Sequence, residues 1–435
     1  MLDTSPLLNQ LQQRALINQV TDAQALASHL GTSRTLYCGF DPTADSLHLG
    51  HLVPLLVLRR FQQAGHRPVA LVGGATGLIG DPSFKSSERK LNGPDVVAQW
   101  SDKIRSQLAR FVDFDCGSHA AVVANNLDWT HGLGVLDFLR DTGKHFSVNA
   151  MIQKEAVKQR LERTDSGVSF TEFSYALLQA LDFVELNRRY DCTVQIGGSD
   201  QWGNIVGGID LVRRRRGLQT FGMTTPLVTR SDGVKFGKTE AGAVWLDARK
   251  TSPYTFYQFW LNVADADVYN FLHFFTFLSL DEIESCRQDD ARQGGRPLAQ
   301  TLLAREVTRL VHGADALASA ERITQALFSG RVQDLETQEW QQLCLDGLPC
   351  SRLSPDMLKD KSLVQLLTDT GLAPGRAVRD AMGRGALWIN DTPASMDDNM
   401  QLESLFSSDR ALCQGFFLVR IGKKKHWIFE MQETS

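Results

Sequence analysis

Two histidines three residues apart, His48 and His51, stand where a nucleotide phosphate could be held. Leu36 to Phe40 read as a short buried strand, stopped by the turn Asp41-Pro42-Thr43. After Ser46 the apolar spacing becomes helical, through Leu49, Leu52, Leu55 and Leu56. The pair therefore falls near the N-terminus of a helix that follows a strand, where backbone N–H groups and the helix dipole favour an anion. A His-x-x-His pair is elsewhere a structural feature or a weak metal motif. Here the setting, with Gly50 allowing close approach, points to phosphate or ribose oxygens. Lys235 and Lys238 flank Gly237 on a loop that could close on the same nucleotide, and Lys85 and Arg89 could reach its phosphates. Tyr175, Gln179 and Asp182 fall at i, i+4 and i+7, one polar face of a helix otherwise made of Leu177, Leu178, Leu181 and Phe183. The glycines Gly74, Gly77 and Gly80 invite a rival reading as a dinucleotide loop. They run into Asp81-Pro82-Ser83 rather than a clean helix, and no following strand ends in the acidic residue a ribose would need.

The elements that must position these groups follow from the rest of the chain. At 435 residues, two or three domains are expected. The 43% hydrophobic and 22% charged composition is that of a globular protein. A net charge of −4 gives no general affinity for nucleic acid, so any RNA contact needs local basic patches. Seven scattered cysteines with no CxxC pair argue for reduced thiols and a cytoplasmic protein. The first residues do not read as a signal peptide, and no apolar run suggests a membrane partner.

Residues 1–225 read as an α/β domain with a doubly wound, Rossmann-like parallel sheet, its ligands at the carboxyl ends of strands such as 36–40, 68–73 and 121–124. Polar helices over 130–170 interrupt that alternation as an insertion. Residues 226–330 carry the lysine loop and then a helical, aromatic-rich domain, whose Phe256, Phe259, Trp260, Phe271, Phe274 and Phe275 read as packed core. Residues 331–360, with Gly347, Pro349 and Pro355, read as a linker. Residues 361–432 form a small α+β module of two helices, a strand and a hairpin. Arg376, Arg379, Arg384 and the turn Lys423-Lys424-Lys425 give it a basic surface suited to RNA.

The stretch 37–51 resembles the His-Ile-Gly-His signature of class I aminoacyl-tRNA synthetases, and its flanks are similar to the bacterial tyrosyl branch. The blocks Gly73–Ser83, Phe173-Ser174-Tyr175, Gly197–Asn204 and Lys235-Phe236-Gly237-Lys238-Thr239 match in the same order and spacing. The resemblance spans nearly the whole chain, more loosely beyond about Val311, and the tail resembles an S4-type RNA-binding domain. It implies activation of L-tyrosine by ATP, followed by transfer to the terminal adenosine of tRNA(Tyr). ATP enters as substrate with Mg2+, and no metal is held by the protein itself. The attacking carboxylate belongs to the substrate, so catalysis reduces to positioning and charge stabilisation.

By the same resemblance His48, His51, Lys235, Lys238, Thr239, Lys85 and Arg89 would be catalytic. Tyr37 and Asp182 would hold the phenol, Tyr175, Gln179 and Asp81 the ammonium group, and Gln201 the carboxylate. Cys38, Gly39, Asp41, Thr43, Gly50, Gly198 and Asp200 would join the histidines and loop lysines around ATP. Tryptophan is served by the same fold in this family, and the pairing of Tyr37 with Asp182 speaks for a phenol instead. The resemblance also implies a homodimer joined through the 130–170 insertion with Phe170 at the contact. Arg213 and Arg214, in the run that ends at Arg216, are the candidates for the tRNA acceptor arm, with Arg376, Arg379 and Lys423 to Lys425 on the opposite part of the RNA.

Overall fold

The computed structural model describes residues 5–81, 92–153, 157–158, 168–231, 233, 236–239, 242–293, 298–329, 331–359, 361–413, 415–422 and 425–431. The chain divides into two compact units, Met1–Leu246 with Ala264–Ala299, and Asp247–Val263 with Gln300–Ser435. In the first unit six strands form one sheet: β1 (Gln19–Val20), β2 (Thr35–Phe40), β3 (Arg67–Val72), β4 (Val122–Asn125), β5 (Cys192–Gly198) and β6 (Phe221–Thr225). Their order is β1-β6-β5-β2-β3-β4, parallel throughout except for β1 against β6. The chain winds outward in both directions from β2 and β5, so the carboxyl ends of those two strands flank a crevice at the switch point. This is the expected parallel α/β sheet. Strands β3 and β6 are buried along nearly their whole length, as strands covered on both faces must be. Helices Phe170–Tyr190 and Trp202–Arg216 cover one face, sending Phe183, Val184, Leu211 and Val212 against Tyr37, Val69 and Leu71.

A short helix at Leu127–Thr130 leads into the insertion, which forms further short helices at Val135–Asp141 and Val148–Ile152. The insertion was expected to be polar, yet several of its apolar side chains face outward, while Met151 is buried and Trp129 packs against the core under the sheet. Val135 is 73% exposed, Leu136 80% and Phe170, at the start of the next helix, 76%. A single turn or two of helix has no second layer behind it within this unit, so the apolar stripe that a helix normally buries remains on the surface.

In the second unit, the 331–360 segment is folded rather than a plain linker. It holds a helix (Thr337–Gln342), a π-helical turn (Leu343–Gly347) and a strand (Cys350–Leu353). That strand runs parallel to Lys425–Met431 and so belongs to the tail's five-stranded sheet. Trp340 is fully buried and stacks on Phe416 at 5.6 Å, in a core that includes Ile323, Leu343, Leu418 and Ile428. Gly347, Pro349 and Pro355 punctuate the segment, but Val332, Leu335, Trp340 and Leu343 carry its burial. The tail itself has the expected helices, Leu363–Asp369 and Gly375–Gly383, and the hairpin Phe416–Ile421 with Lys425–Met431. The aromatic run of 251–329 supplies two cores instead of one: Phe256 and Trp260 are buried in the second unit, Phe271 and Phe275 in the first.

Candidate active site

The crevice between the ends of β2 and β5 opens into a cavity of about 650 Å³. His48 is the N-cap of helix Leu49–Gln63. Its Nδ1 accepts from the Gly50 N–H at 3.0 Å, and its own backbone N–H donates to His51 Nδ1 at 3.2 Å. Both Nδ1 atoms are therefore acceptors, which puts the proton of each neutral ring on Nε2 as a hydrogen-bond donor. The rings lie 4.1 Å apart, and burial together with His48 holds His51 well below the usual imidazole range, so His51 is neutral at pH 7. Gly50 has a reason the sequence did not reveal: a Cβ there would sit 2.8 Å from His48 Cε1, where the folded-back ring lies.

The lysine loop is stitched to this helix start. Leu49 donates its N–H to Val244 O at 3.0 Å, Leu246 to Leu47 O at 2.9 Å, and Val244 to Gly237 O at 3.0 Å. Gly237 has φ 84°, and an added Cβ would stand 2.9 Å from Leu49 Cβ, so glycine is required twice over. Lys235 lies outside the described residues, as do Lys85, Arg89, Lys423 and Lys424. Lys238 and Thr239 form a two-residue strand against Gly242–Ala243.

At the other end of the cavity a line of hydrogen bonds organises the polar residues. Tyr175 Oη donates to Asp41 Oδ2 at 2.7 Å, and Thr76 Oγ1 donates to Asp41 Oδ1 at 2.7 Å. Asn126 Nδ2 reaches Thr76 Oγ1 and Asp182 Oδ2, each at 3.0 Å, and Trp129 Nε1 donates to Asp182 Oδ1 at 2.9 Å. Gln201 Nε2 donates to Asp81 Oδ2 at 2.8 Å. Asp41, expected beside ATP, is thus the acceptor at one end of this line. Gly73 must lack a side chain because a Cβ would run into Asp41 Oδ1. The Tyr37 hydroxyl and Gln179 Oε1 are buried without a partner among the described residues. Burial pushes the Asp182 carboxyl up to about 7 against the pull of Asn126 and Trp129. The same cause, with Asp182 next in order, holds the Tyr37 phenol well above its ordinary range. Two unmatched polar atoms and an acceptor held by two donors make a socket for a ligand group that both donates and accepts.

Tyr37, Asp81, Tyr175, Gln179, Asp182 and Gln201 all line this one cavity. So do Cys38, Gly39, Asp41, Thr43, Gly198 and Asp200. Gly39 is the one exposed position of β2, and burial with Asp200 pushes the Cys38 thiol up to about 12, leaving it protonated. Asn126, Trp129, Thr76 and the buried Gln195 were not anticipated. A signal was available for Asn126, which with Asn125 follows the apolar run Val122–Ala124 of β4 and so stands at the ligand-binding end of a parallel strand. Arg213 and Arg214 are exposed and share Asp210, each at 2.6 Å, while Arg376, Arg379 and Lys425 are exposed in the second unit.

Residues 31–329 match the family described as tRNA synthetases class I (W and Y). The chain is 57% identical to a tyrosine–tRNA ligase of Escherichia coli O1:K1 over 428 residues, covering 98% of both chains, and equally to that of Citrobacter koseri. Among solved structures, a C-terminally truncated mitochondrial tyrosyl-tRNA synthetase of Aspergillus nidulans superposes with a TM-score of 0.66 at 31% identity. That match covers 74% of this chain and 94% of that one. A tyrosyl enzyme from Archaeoglobus fulgidus (0.53, 15% identity) and a tryptophanyl enzyme from Encephalitozoon cuniculi (0.52, 14%) share the fold.

Proposed function

The chain belongs to the class I tRNA synthetases of the tryptophan and tyrosine group, its reaction is the ligation of tyrosine to tRNA, and we propose how its cavity performs it. One observation carries the amino-acid assignment: the unpartnered Tyr37 hydroxyl beside an Asp182 carboxylate that Asn126 and Trp129 hold in place. A phenol fills that gap, donating to Asp182 and accepting from Tyr37. An indole N–H would leave the Tyr37 donor unmatched, and phenylalanine would leave both groups unpaired, at a heavy cost in affinity. Tyr175, Gln179 and Asp81 hold the ammonium group, and Gln201 the carboxylate. The carboxylate attacks the α-phosphorus of ATP, which enters with its Mg2+, and pyrophosphate leaves. The Nε2–H groups of His48 and His51, with Lys235 and Lys238, stabilise the phosphate charge, aided by Thr239, Lys85 and Arg89. In the second step a hydroxyl of the tRNA's terminal adenosine takes the tyrosyl group and AMP departs. Tyrosine-dependent ATP–pyrophosphate exchange is the direct test. Exchange with tyrosine alone is expected; exchange driven equally by tryptophan or phenylalanine would overturn the assignment.

The Asp182 carboxyl makes this recognition pH-dependent. Its folded value of about 7 lies above the ordinary 3.8, so between those values the folded state binds the proton more tightly than the unfolded chain. This group therefore subtracts stability as pH rises through that window. Tyrosine binding runs the opposite way, because the phenol O–H donates best to the ionised carboxylate. The tyrosine dissociation constant is expected to rise by up to about tenfold as pH falls through about 7. The much weaker binding of phenylalanine should stay flat over the same range in calorimetric titrations. Parallel curves for the two ligands would remove Asp182 from phenol recognition.

The tRNA contacts and assembly follow from the exposed groups. Arg213 and Arg214 fit the acceptor arm, and Arg376, Arg379 and the lysine turn fit a second part of the same RNA. A reaction on tRNA belongs in the cytoplasm, where translation runs. Among the described residues no helix is long and apolar enough to cross a membrane. The outward-facing Val135, Leu136 and Phe170 fit an isologous contact between two copies of the chain. Phe170→Asp should yield monomers in sedimentation velocity; an unaffected dimer would put the interface elsewhere.

A further inference from the structure

Helix Asp265–Phe275 of the first unit holds the lysine loop at two points. At its N-terminal turn the buried Asp267 carboxylate accepts the Ser231 backbone N–H at 2.9 Å (Oδ1) and 3.2 Å (Oδ2), and the Ser231 Oγ–H at 3.2 Å (Oδ2). Further along, the Phe236 ring is buried against Phe271 at 4.2 Å and Phe275 at 5.8 Å. Phe236 also donates its N–H to Val228 O at 3.0 Å. The helix is itself anchored at its other end. Arg14 donates to His273 O and Leu278 O, and Arg60, from the helix that His48 caps, donates to Thr276 O. These two buried guanidiniums face the carbonyl end of the helix, where positive charge is favourable.

We propose that Asp267 is a positioning residue for tyrosine activation, fixing through Ser231 the loop that carries Lys235 and Lys238. The proposal rests on the reading that those lysines act on the ATP phosphates. An acidic residue in the first turn of a helix is on its own an ordinary match to the dipole. Here, however, both carboxylate oxygens are spent on an exposed loop residue, four positions before Lys235. Phe236 then fixes the backbone between the two lysines. A loop tied at Ser231 and at Phe236 needs less ordering for each ATP, whereas a loosened one must be ordered anew.

The test pairs Asp267→Asn with Ser231→Ala, which removes only the hydroxyl bond from an exposed site and so serves if the first variant folds poorly. In ATP–pyrophosphate exchange, Asp267→Asn is expected to raise KM for ATP and lower kcat, about tenfold in their ratio. Ser231→Ala should cost about threefold, and the double variant less than the product of the two. The tyrosine dissociation constant, measured without ATP, should not change. Lys235→Ala is run alongside. If it cripples exchange while both Asp267→Asn and Ser231→Ala leave ATP kinetics untouched, Asp267 has no positioning role and the lysine reading stands. If Lys235→Ala and Lys238→Ala leave exchange intact, the lysine reading falls and this inference falls with it. Loss of tyrosine affinity in step with ATP kinetics would mark Asp267 as merely structural and overturn the proposal.

Discussion

Asp182→Ala should weaken tyrosine binding by about 1.5–3 kcal/mol, or roughly 10- to 150-fold, while leaving the helix that carries it intact. Residue 182 lies inside the 21-residue helix Phe170–Tyr190, where alanine is the best helix former, so the backbone has no reason to move. What is lost is the acceptor. The phenol O–H then has no carboxylate, and the Asn126 and Trp129 donors that now converge on Asp182 are left facing a void. Phenylalanine has no O–H to lose, so its already weak binding should change far less and the preference for tyrosine should collapse. Equilibrium dialysis with both amino acids measures this directly. Unchanged tyrosine affinity would remove Asp182 from the pocket. Equal losses for the two ligands would mean that the variant damages the cavity as a whole rather than one hydrogen bond.

Much of this site was legible in the sequence because its parts lie on short, regular signals. The helix start at His48 is announced by the apolar spacing of Leu49, Leu52, Leu55 and Leu56, all four fully buried. The stripe Tyr175, Gln179, Asp182 was visible because polar residues at helical spacing stand out against leucines. What escaped notice depends on contacts between distant segments. Asn126 and Trp129 meet Asp182 across 56 and 53 residues, and nothing local to either marks that meeting. The 331–360 segment was misleading for the same reason. Its glycine and prolines suggest a linker, while its strand exists only because Lys425–Met431 offers an edge to pair with. That pairing has a practical consequence. Phe416, Leu418 and Ile428 share a core with Trp340 and Leu343, so cutting the chain near residue 345 would strip that core rather than release a separate module.

Lys235→Ala and Lys238→Ala should each depress the rate of tyrosine activation by about 10²–10³-fold, with tyrosine affinity unchanged. The reason is where charge develops. As the carboxylate attacks, negative charge shifts onto the departing pyrophosphate, and a cation placed there stabilises the transition state more than bound ATP. The amino-acid socket around Tyr37 and Asp182 makes no demand on these lysines. Gly237 is packed on Leu49 and bonded to Val244, and Phe236 is buried against Phe271. The two lysines therefore flank a fixed point, and removing either side chain should subtract its charge without releasing the loop. Pre-steady-state measurement of adenylate formation separates the rate from the ground-state affinities, and the loss should appear in the rate. Lys→Arg variants, which keep the charge on a different geometry, should recover part of it. A preserved rate accompanied by weaker tyrosine binding would place these lysines in substrate binding and take the charge-stabilising role from them.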